Sequence, residues 1–95
     1  MEPDSLDAGL DALSVLADPV RRSAYRAVAD ATAPVGRDDV AAALGIGRTL
    51  AAHHLDRLVD AGLLAVSYAR RTGRTGPGAG RPAKLYSRAP GEHAV

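Results

Sequence analysis

The sequence predicts a small, mainly α-helical domain with a two-stranded β-hairpin near its C-terminal end. Between residues 5 and 61, apolar side chains recur at three- and four-residue spacing in segments bounded by capping residues. After Gly62 the spacing changes to two, which is typical of half-buried strands. The 95 residues are enough for one hydrophobic core but not for two. We therefore expect one domain over residues 1–88 and a loose tail over residues 89–95.

Two helices are predicted in the first third of the chain. Ser5 is a suitable N-cap for the first helix, whose apolar face then consists of Leu6, Leu10, Leu13 and Ala17. Asp18 followed by Pro19 predicts a sharp start for the second helix, because proline favours the first helical position. We expect this helix to reach about residue 31, with an inward face that consists of Val20, Ala24, Ala27, Val28 and Ala31.

A third and a fourth helix follow, separated by a very short connection. The third is predicted over residues 36–44 and is ended by Gly45 in the left-handed conformation. The fourth runs from about Arg48 to Ala61 and is ended by Gly62 in the same way. Two short helices joined by three residues form a helix-turn-helix unit.

A β-hairpin is predicted after the fourth helix. Residues 64–69 alternate as a first strand, and residues 83–88 form a second strand with Leu85 and Tyr86 on opposite faces. The glycine-rich residues 72–82 connect the two strands, and a further short strand is expected near Val35. A hairpin in this position is a wing, so the predicted fold is a winged helix-turn-helix with a core of three to four helices. The three tyrosines are expected to pack within it: Tyr25, Tyr68 and Tyr86.

Composition and motifs exclude several classes of protein. The chain has no cysteine, which rules out disulfides, iron–sulfur clusters and thiolate zinc sites within this stretch. No apolar run approaches the roughly 20 residues that span a bilayer, and the acidic N-terminus is unlike a secretory signal, so we expect a cytoplasmic location. Adjacent His53 and His54 point about 100° apart on a helix and do not suit one metal ion. Without catalytic or cofactor motifs, we expect neither an enzyme nor a cofactor.

Charge is distributed unevenly although the formal net charge is only +1. Residues 1–20 carry five acidic side chains and no basic ones, whereas residues 61–91 carry six basic side chains and no acidic ones. This pattern is compatible with two solvated surfaces of opposite sign. It is also compatible with a domain that presents one face to a polyanion.

The outward face of the fourth helix has a composition that suits the major groove of DNA. If Ala51, Leu55 and Leu58 face the core, one outward stripe consists of Arg48, Thr49, Ala52, His53 and Asp56. Arginine reads guanine, threonine reaches a base edge or a thymine methyl group, and alanine permits close approach. Histidine donates to a base or a phosphate, and aspartate either accepts from cytosine or simply discourages a wrong register. The other interpretation is an ordinary solvated helix face.

The predicted wing supplies a second set of basic side chains. They suit phosphates or a narrow minor groove, and together with Arg57 of the fourth helix they form the predicted backbone-contacting set: Arg57, Arg70, Arg71, Arg74, Arg81 and Lys84. A basic linker without a ligand is the other interpretation of the glycine-rich segment.

Three segments resemble the ArsR-type winged-helix repressors. These are Leu16-Ala17-Asp18-Pro19-Val20-Arg21-Arg22, the segment from Val40 to Gly47, and His54-Leu55-Asp56-Arg57-Leu58-Val59-Asp60-Ala61-Gly62-Leu63. The resemblance covers roughly residues 10–88. It implies base contacts by Arg48, Thr49, Ala52 and His53, and a semi-buried structural position for His54. The segment from Gly80 to Tyr86 is similar to that of larger regulators in which a separate sensor domain follows, and such a domain would lie outside this chain.

The chain departs from the family pattern at three points. Gly47 stands where a serine usually caps the recognition helix, and Gly36 replaces another common capping residue. The cysteine pair of the metal-sensing members is absent, so metal sensing through that site is not expected. After Arg88 no counterpart of the family's C-terminal dimerisation helix is evident, which makes a fragment of a longer regulator an open interpretation.

The sequence therefore predicts a transcriptional regulator that binds duplex DNA as a homodimer, with helix 48–61 in the major groove and hairpin 70–84 on the backbone or minor groove. Part of the expected dimer surface consists of Leu6, Leu10 and Leu13, which would otherwise close the core. Repression is the usual mode in the family, but these residues do not separate it from activation. Two other functions stay open: a winged helix that binds an acidic protein partner, and RNA binding through the basic wing.

Overall fold

The computed structural model describes residues 12–69 and 82–90, which form three helices and a two-stranded antiparallel sheet. The helices are α1 (Pro19–Ala29), α2 (Arg37–Leu44) and α3 (Arg48–Asp60), and the strands are β1 (Leu64–Ala69) and β2 (Ala83–Arg88). Residues 12–15, before α1, are also helical. The remainder of the predicted first helix, including Leu6 and Leu10, lies outside the described residues, as does the glycine-rich wing segment.

Helix α1 begins as predicted but ends earlier. The Asp18 carboxylate accepts a hydrogen bond from the Arg21 amide at 3.0 Å, which caps the helix, and Pro19 takes the first helical position. The helix ends at Ala29. The backbone N–H groups of Asp30 and Ala31 close its last turn by donating hydrogen bonds to the carbonyls of Arg26 and Val28.

The inward face of α1 is shorter than the sequence predicted. Ala24 and Val28 are buried and Ala27 is half-buried, as expected, but Val20 is 39% exposed. Val20 lies on the same face as Ala24 but in the first helical turn, where less of the protein covers it. The prediction of an inward Val20 was therefore wrong.

The helix-turn-helix pair and the stops predicted for it are confirmed. Helix α2 ends at Gly45 with φ +70°, and the turn after α3 places Gly62 at φ +81°. A side chain at either position would meet open space, so the left-handed backbone itself is the reason why glycine is favoured there. Gly47 is the N-cap of α3 and makes no side-chain hydrogen bond to the helix end.

The core lies between the three helices, the helical residues 12–15 and one face of the sheet. Its fully buried side chains include Ala24 of α1 and, from α3, Ala51, Leu55 and Leu58, each with no exposed surface. These positions follow one another at three- and four-residue spacing, so one complete face of α3 is inside the protein.

The sheet pairs β1 with β2 in a register that runs from Leu64 opposite Arg88 to Ala69 opposite Ala83. The short extra strand predicted near Val35 is confirmed as an isolated bridge to Tyr86. The two residues exchange backbone hydrogen bonds of 3.0 and 2.7 Å. Leu85 and Tyr86 are both buried, at 6% and 2% exposure, although adjacent strand residues point to opposite faces.

Tyr68 does not pack as predicted. It shares a sheet face with Leu64 and Val66, but its side chain is 66% exposed. The burial along β1 decreases steadily from Leu64 towards Ala69, because the far end of the strand projects beyond the helices. Tyr25 and Tyr86, in contrast, pack with the core.

We expect Leu55→Ala to lower the free energy of unfolding by about 2–5 kcal/mol, because it removes a fully buried side chain and leaves a cavity. The matched control is Leu50→Ala in the same helix, where the side chain is 46% exposed and the change is expected to cost about 0.5 kcal/mol. Urea denaturation monitored by circular dichroism measures both values. Equal losses for the two variants would contradict the burial assigned to this face of α3.

Candidate nucleic-acid interface

Helix α3 has two chemically distinct faces. The inner face is buried and consists of Ala51, His54, Leu55 and Leu58. The outer face shows Arg48, Thr49, His53 and Arg57 as exposed side chains, with Ala52 and Asp56 half-buried between them. The structure therefore places all five residues of the predicted base-contacting stripe on the side of the helix that faces away from the core.

Arg48, at the start of this stripe, has one weak charged neighbour. Its guanidinium lies 3.9 Å from the Asp38 carboxylate of α2, and both side chains are about two-thirds exposed. A solvated pair at this distance contributes about 0–1 kcal/mol. The arginine can therefore exchange this contact for another anion or acceptor at little cost.

Asp56, further along the stripe, is hydrogen-bonded to the second strand of the hairpin. Its Oδ1 accepts hydrogen bonds from the Tyr86 hydroxyl at 2.7 Å and from Lys84 Nζ at 3.0 Å, both on β2. Burial raises the pKa of this carboxyl, but the hydrogen bonds from Tyr86 and Lys84 outweigh that effect and leave the pKa below its usual value. The ionised carboxylate of Asp56 thus joins α3 to β2, the second strand of the hairpin.

The contact with Asp56 also shifts the pKa values of its two donors, Tyr86 and Lys84. Burial and the hydrogen bond to Asp56 raise the pKa of the Tyr86 hydroxyl, and the hydrogen bond to Asp56 raises the pKa of the Lys84 ammonium group. Lys84 Nζ also lies 5.4 Å from the centroid of the Tyr86 ring, within the range of a cation–π contact. Neither this cluster nor the fixed direction of Lys84 was predicted from the sequence, because the residues are about 30 positions apart.

An open cleft of about 330 Å³ lies beside this cluster, between the start of α2, the outer face of α3 and the start of β2. The residues that line the cleft include Ala52, Asp56, Lys84 and Arg37. The small side chain of Ala52 leaves the surface of α3 concave at this point.

On the inner face of α3, His54 links this helix to α1. It is 6% exposed, and its Nδ1 accepts a hydrogen bond of 3.2 Å from Arg21 Nε on α1. Burial lowers the pKa of this imidazole, and the positive charge of Arg21 lowers it further. The Arg21 amide also donates to Asp18, and that hydrogen bond lowers the pKa of the Asp18 carboxyl.

Several predicted site residues lie outside the described residues. Of the wing arginines these are Arg70, Arg71, Arg74 and Arg81, and of the expected dimer surface they are Leu6 and Leu10. Leu13 is described, and 70% of its surface is exposed. Over residues 12–69 and 82–90, no three histidine or acidic side chains form a cluster that could hold a metal ion. Nor does that part of the chain contain a helix long and apolar enough to cross a membrane.

Comparison with solved structures identifies the architecture. One similar structure is the homodimeric winged helix-turn-helix DNA-binding domain (fragment 1–100) of Mb0332 from Mycobacterium bovis, a possible ArsR-family transcriptional regulator. It aligns with a TM-score of 0.68 and 23% identity over 92% of this chain and 68% of that one. The chain has a winged-helix fold.

A second solved structure also has a similar fold. NolR from Sinorhizobium fredii aligns with a TM-score of 0.64 and 17% identity, over 95% of this chain and 80% of that one. No protein-family model matches the chain, and no curated protein matches it. In this winged helix, α2 and α3 are the helix-turn-helix pair and β1 and β2 form the base of the wing.

We expect the stability of the domain to fall as the pH is lowered below about 6.5, because His54 has a lower pKa in the folded than in the unfolded chain. The unfolded chain binds the proton first, so the stabilisation is fully present above the unfolded value and is lost as the pH falls through the folded one. The contribution of Asp18 belongs to a separate range, below its unfolded value of 3.8.

Thermal unfolding between about pH 7.5 and 5 measures this effect, and His54→Gln is expected to flatten the dependence because glutamine does not titrate. The matched control is His53→Gln, which removes an exposed imidazole from the adjacent position. If His54→Gln keeps the pH dependence of the parent chain, the protonation of His54 is not its source.

Proposed function

We propose that this chain is a transcriptional regulator that binds duplex DNA in a sequence-specific manner. The observation that supports this most directly is the outer face of α3, which is exposed and carries base-reading residue types on the second helix of a helix-turn-helix pair. The similarity of the fold to a winged helix-turn-helix DNA-binding domain from Mycobacterium bovis supports the same function. The proposal assigns no catalytic role to the chain.

In the proposed complex, α3 enters the major groove with its outer face towards the bases. Arg48 and Thr49 lie in its first turn, and His53 lies one turn further on. Arginine binds guanine through two hydrogen bonds, and one such contact discriminates against a wrong base by about 1–3 kcal/mol. Ala52, beside the concave part of the surface, allows the helix to approach the base edges closely.

The phosphate backbone is proposed to contact Arg57 and the basic segment between the two strands. Arg57 is exposed near the end of α3. The sequence between β1 and β2 contains four arginines and no acidic residue. Segments of this kind bind phosphates or enter a narrow minor groove without needing a fixed base sequence.

The chain is proposed to act as a two-fold dimer on half-sites about one helical turn of DNA apart. Leu13 is a large apolar side chain that is 70% exposed, and Leu6 and Leu10 precede it at helical spacing in the sequence. The similar domain from Mycobacterium bovis is homodimeric. Membership of the ArsR-type repressors, repression as the mode of action and a cytoplasmic location complete the proposal.

We expect Arg48→Ala/His53→Ala to abolish most of the sequence preference while leaving non-specific binding in place, because phosphate contacts persist when base contacts are removed. Selection from a random duplex pool identifies the preferred sequence, and fluorescence anisotropy compares it with a scrambled duplex. The matched control is Arg22→Ala/Arg26→Ala, which removes two exposed side chains from α1, outside the helix-turn-helix pair. Unchanged preference in the first variant would contradict base reading by α3.

We expect Arg70→Ala/Arg74→Ala to reduce the salt dependence of binding. For each phosphate that the variant no longer neutralises, the slope of log K against log salt concentration becomes shallower by about 0.9. Anisotropy titrations at several salt concentrations measure the slope. If the parent chain binds no duplex even at low salt, an acidic protein partner becomes the better explanation of the basic segment, and self-association is then measured first.

A further inference from the structure

We infer that Asp56 positions the wing against α3 and does not itself read a base, a role that rests on the DNA-binding function proposed above. Asp56 belongs to the outer face of α3, and its residue type alone suggests a contact with cytosine. In the structure, however, its Oδ1 is occupied by two donors from β2, Tyr86 at 2.7 Å and Lys84 at 3.0 Å.

Tyr86 explains why this contact is a structural one. Its side chain is 2% exposed, and a buried phenol hydroxyl needs an acceptor. Asp56 supplies that acceptor. If Asp56 turned towards a base edge, the Tyr86 hydroxyl would be left without this hydrogen bond inside the protein, which is unfavourable.

The backbone of Tyr86 is fixed as firmly as its hydroxyl. It is paired with Val66 of β1 on one side and exchanges two hydrogen bonds with Val35 on the other. The Asp56 contact therefore ties α3 to a residue whose position within the sheet is set independently. Bending the hairpin relative to α3 requires this contact to break or to stretch.

Lys84 lies at the end of β2 that adjoins the wing segment, so the same contact is made close to that segment. It follows Ala83, the first residue of β2, so the basic segment 70–81 joins the sheet next to a side chain that is held on α3. DNA binding through both elements requires the helix and the wing to reach the groove and the backbone together. Asp56 fixes the orientation of β2 relative to α3 close to the point where β2 begins.

The buried position of Tyr86 makes the inference testable, because Tyr86 cannot touch DNA. Any effect of Tyr86→Phe on specificity must act through the residues that its hydroxyl contacts, of which Asp56 is the acceptor. We expect Asp56→Ala and Tyr86→Phe each to weaken binding to the selected duplex about three- to tenfold, the range that corresponds to the removal of one hydrogen bond. Binding to a scrambled duplex is expected to change less than about twofold, because it depends on phosphate contacts and not on register.

Two further variants test the geometry of the contact. Asp56→Asn retains an oxygen that can accept from the Tyr86 hydroxyl and is expected to keep the specificity of the parent chain. The double variant Asp56→Ala/Tyr86→Phe is expected to be no weaker than Asp56→Ala alone, because Asp56→Ala already removes the hydrogen bond that Tyr86→Phe removes. Matched controls are Asp60→Ala, one turn further along α3, and Tyr25→Phe, which alters another tyrosine that packs against the core.

The results distinguish this role from two others and from a failure of the proposed function. An altered base preference at one position in Asp56→Ala, with Tyr86→Phe unaffected, would show that Asp56 reads a base and would overturn the inference. Equal reductions of affinity for selected and scrambled duplexes would show that the contact supports only the stability of the fold and not the specificity of binding. This result would overturn the inference as well. If the parent chain itself selects no sequence, the proposed function fails together with the role inferred for Asp56, whereas failure confined to the variants refutes that role alone.

Discussion

The one-sided burial of α3 is the constraint on which the rest of the structure depends. Ala51, Leu55 and Leu58 have no exposed surface, so the helix cannot rotate about its axis without exposing apolar surface or burying charge. Burial of one face thereby determines which side chains stand on the other. Apart from Asp56, the outer-face residues Arg48, Thr49 and His53 are exposed and contribute little to the apolar packing that holds the helix.

Two polar contacts restrict the position of α3 more narrowly than apolar packing does. On the inner side, Arg21 donates to His54 and links α3 to α1. On the other side, Asp56 accepts from Tyr86 and links α3 to β2. Apolar packing is tolerant of small shifts, whereas a hydrogen bond fixes distance and angle between its partners. Because α3 is held by one such contact on each side, its rotation about its own axis is fixed relative to both α1 and the sheet.

Local signals in the sequence were sufficient for the elements of the fold. Asp18-Pro19, Gly45 and Gly62 mark helix ends through capping and left-handed backbone, and these depend on neighbouring residues only. The burial of Val20 and Tyr68 was predicted wrongly because the periodicity of a helix or strand identifies a face but not how far the core extends along it. Both residues lie near an end of their element.

The part of the site that was not foreseen from the sequence is the part made by long-range contacts. Asp56, Lys84 and Tyr86 show no spacing that suggests an association, since they meet only after α3 and β2 have packed together. The outer stripe of α3, by contrast, follows from the inner one through the period of the helix, which is why its exposure could be predicted. Long-range polar contacts require the tertiary structure itself.

The bridge between Val35 and Tyr86 has a consequence for the order of folding events. The two residues lie in different halves of the chain, and the whole helix-turn-helix pair separates them. Closing this loop carries a larger entropic cost than pairing β1 with β2, whose connection is much shorter. We therefore expect the bridge to form after α2 and α3 have packed, so that its hydrogen bonds would report assembly of the native core.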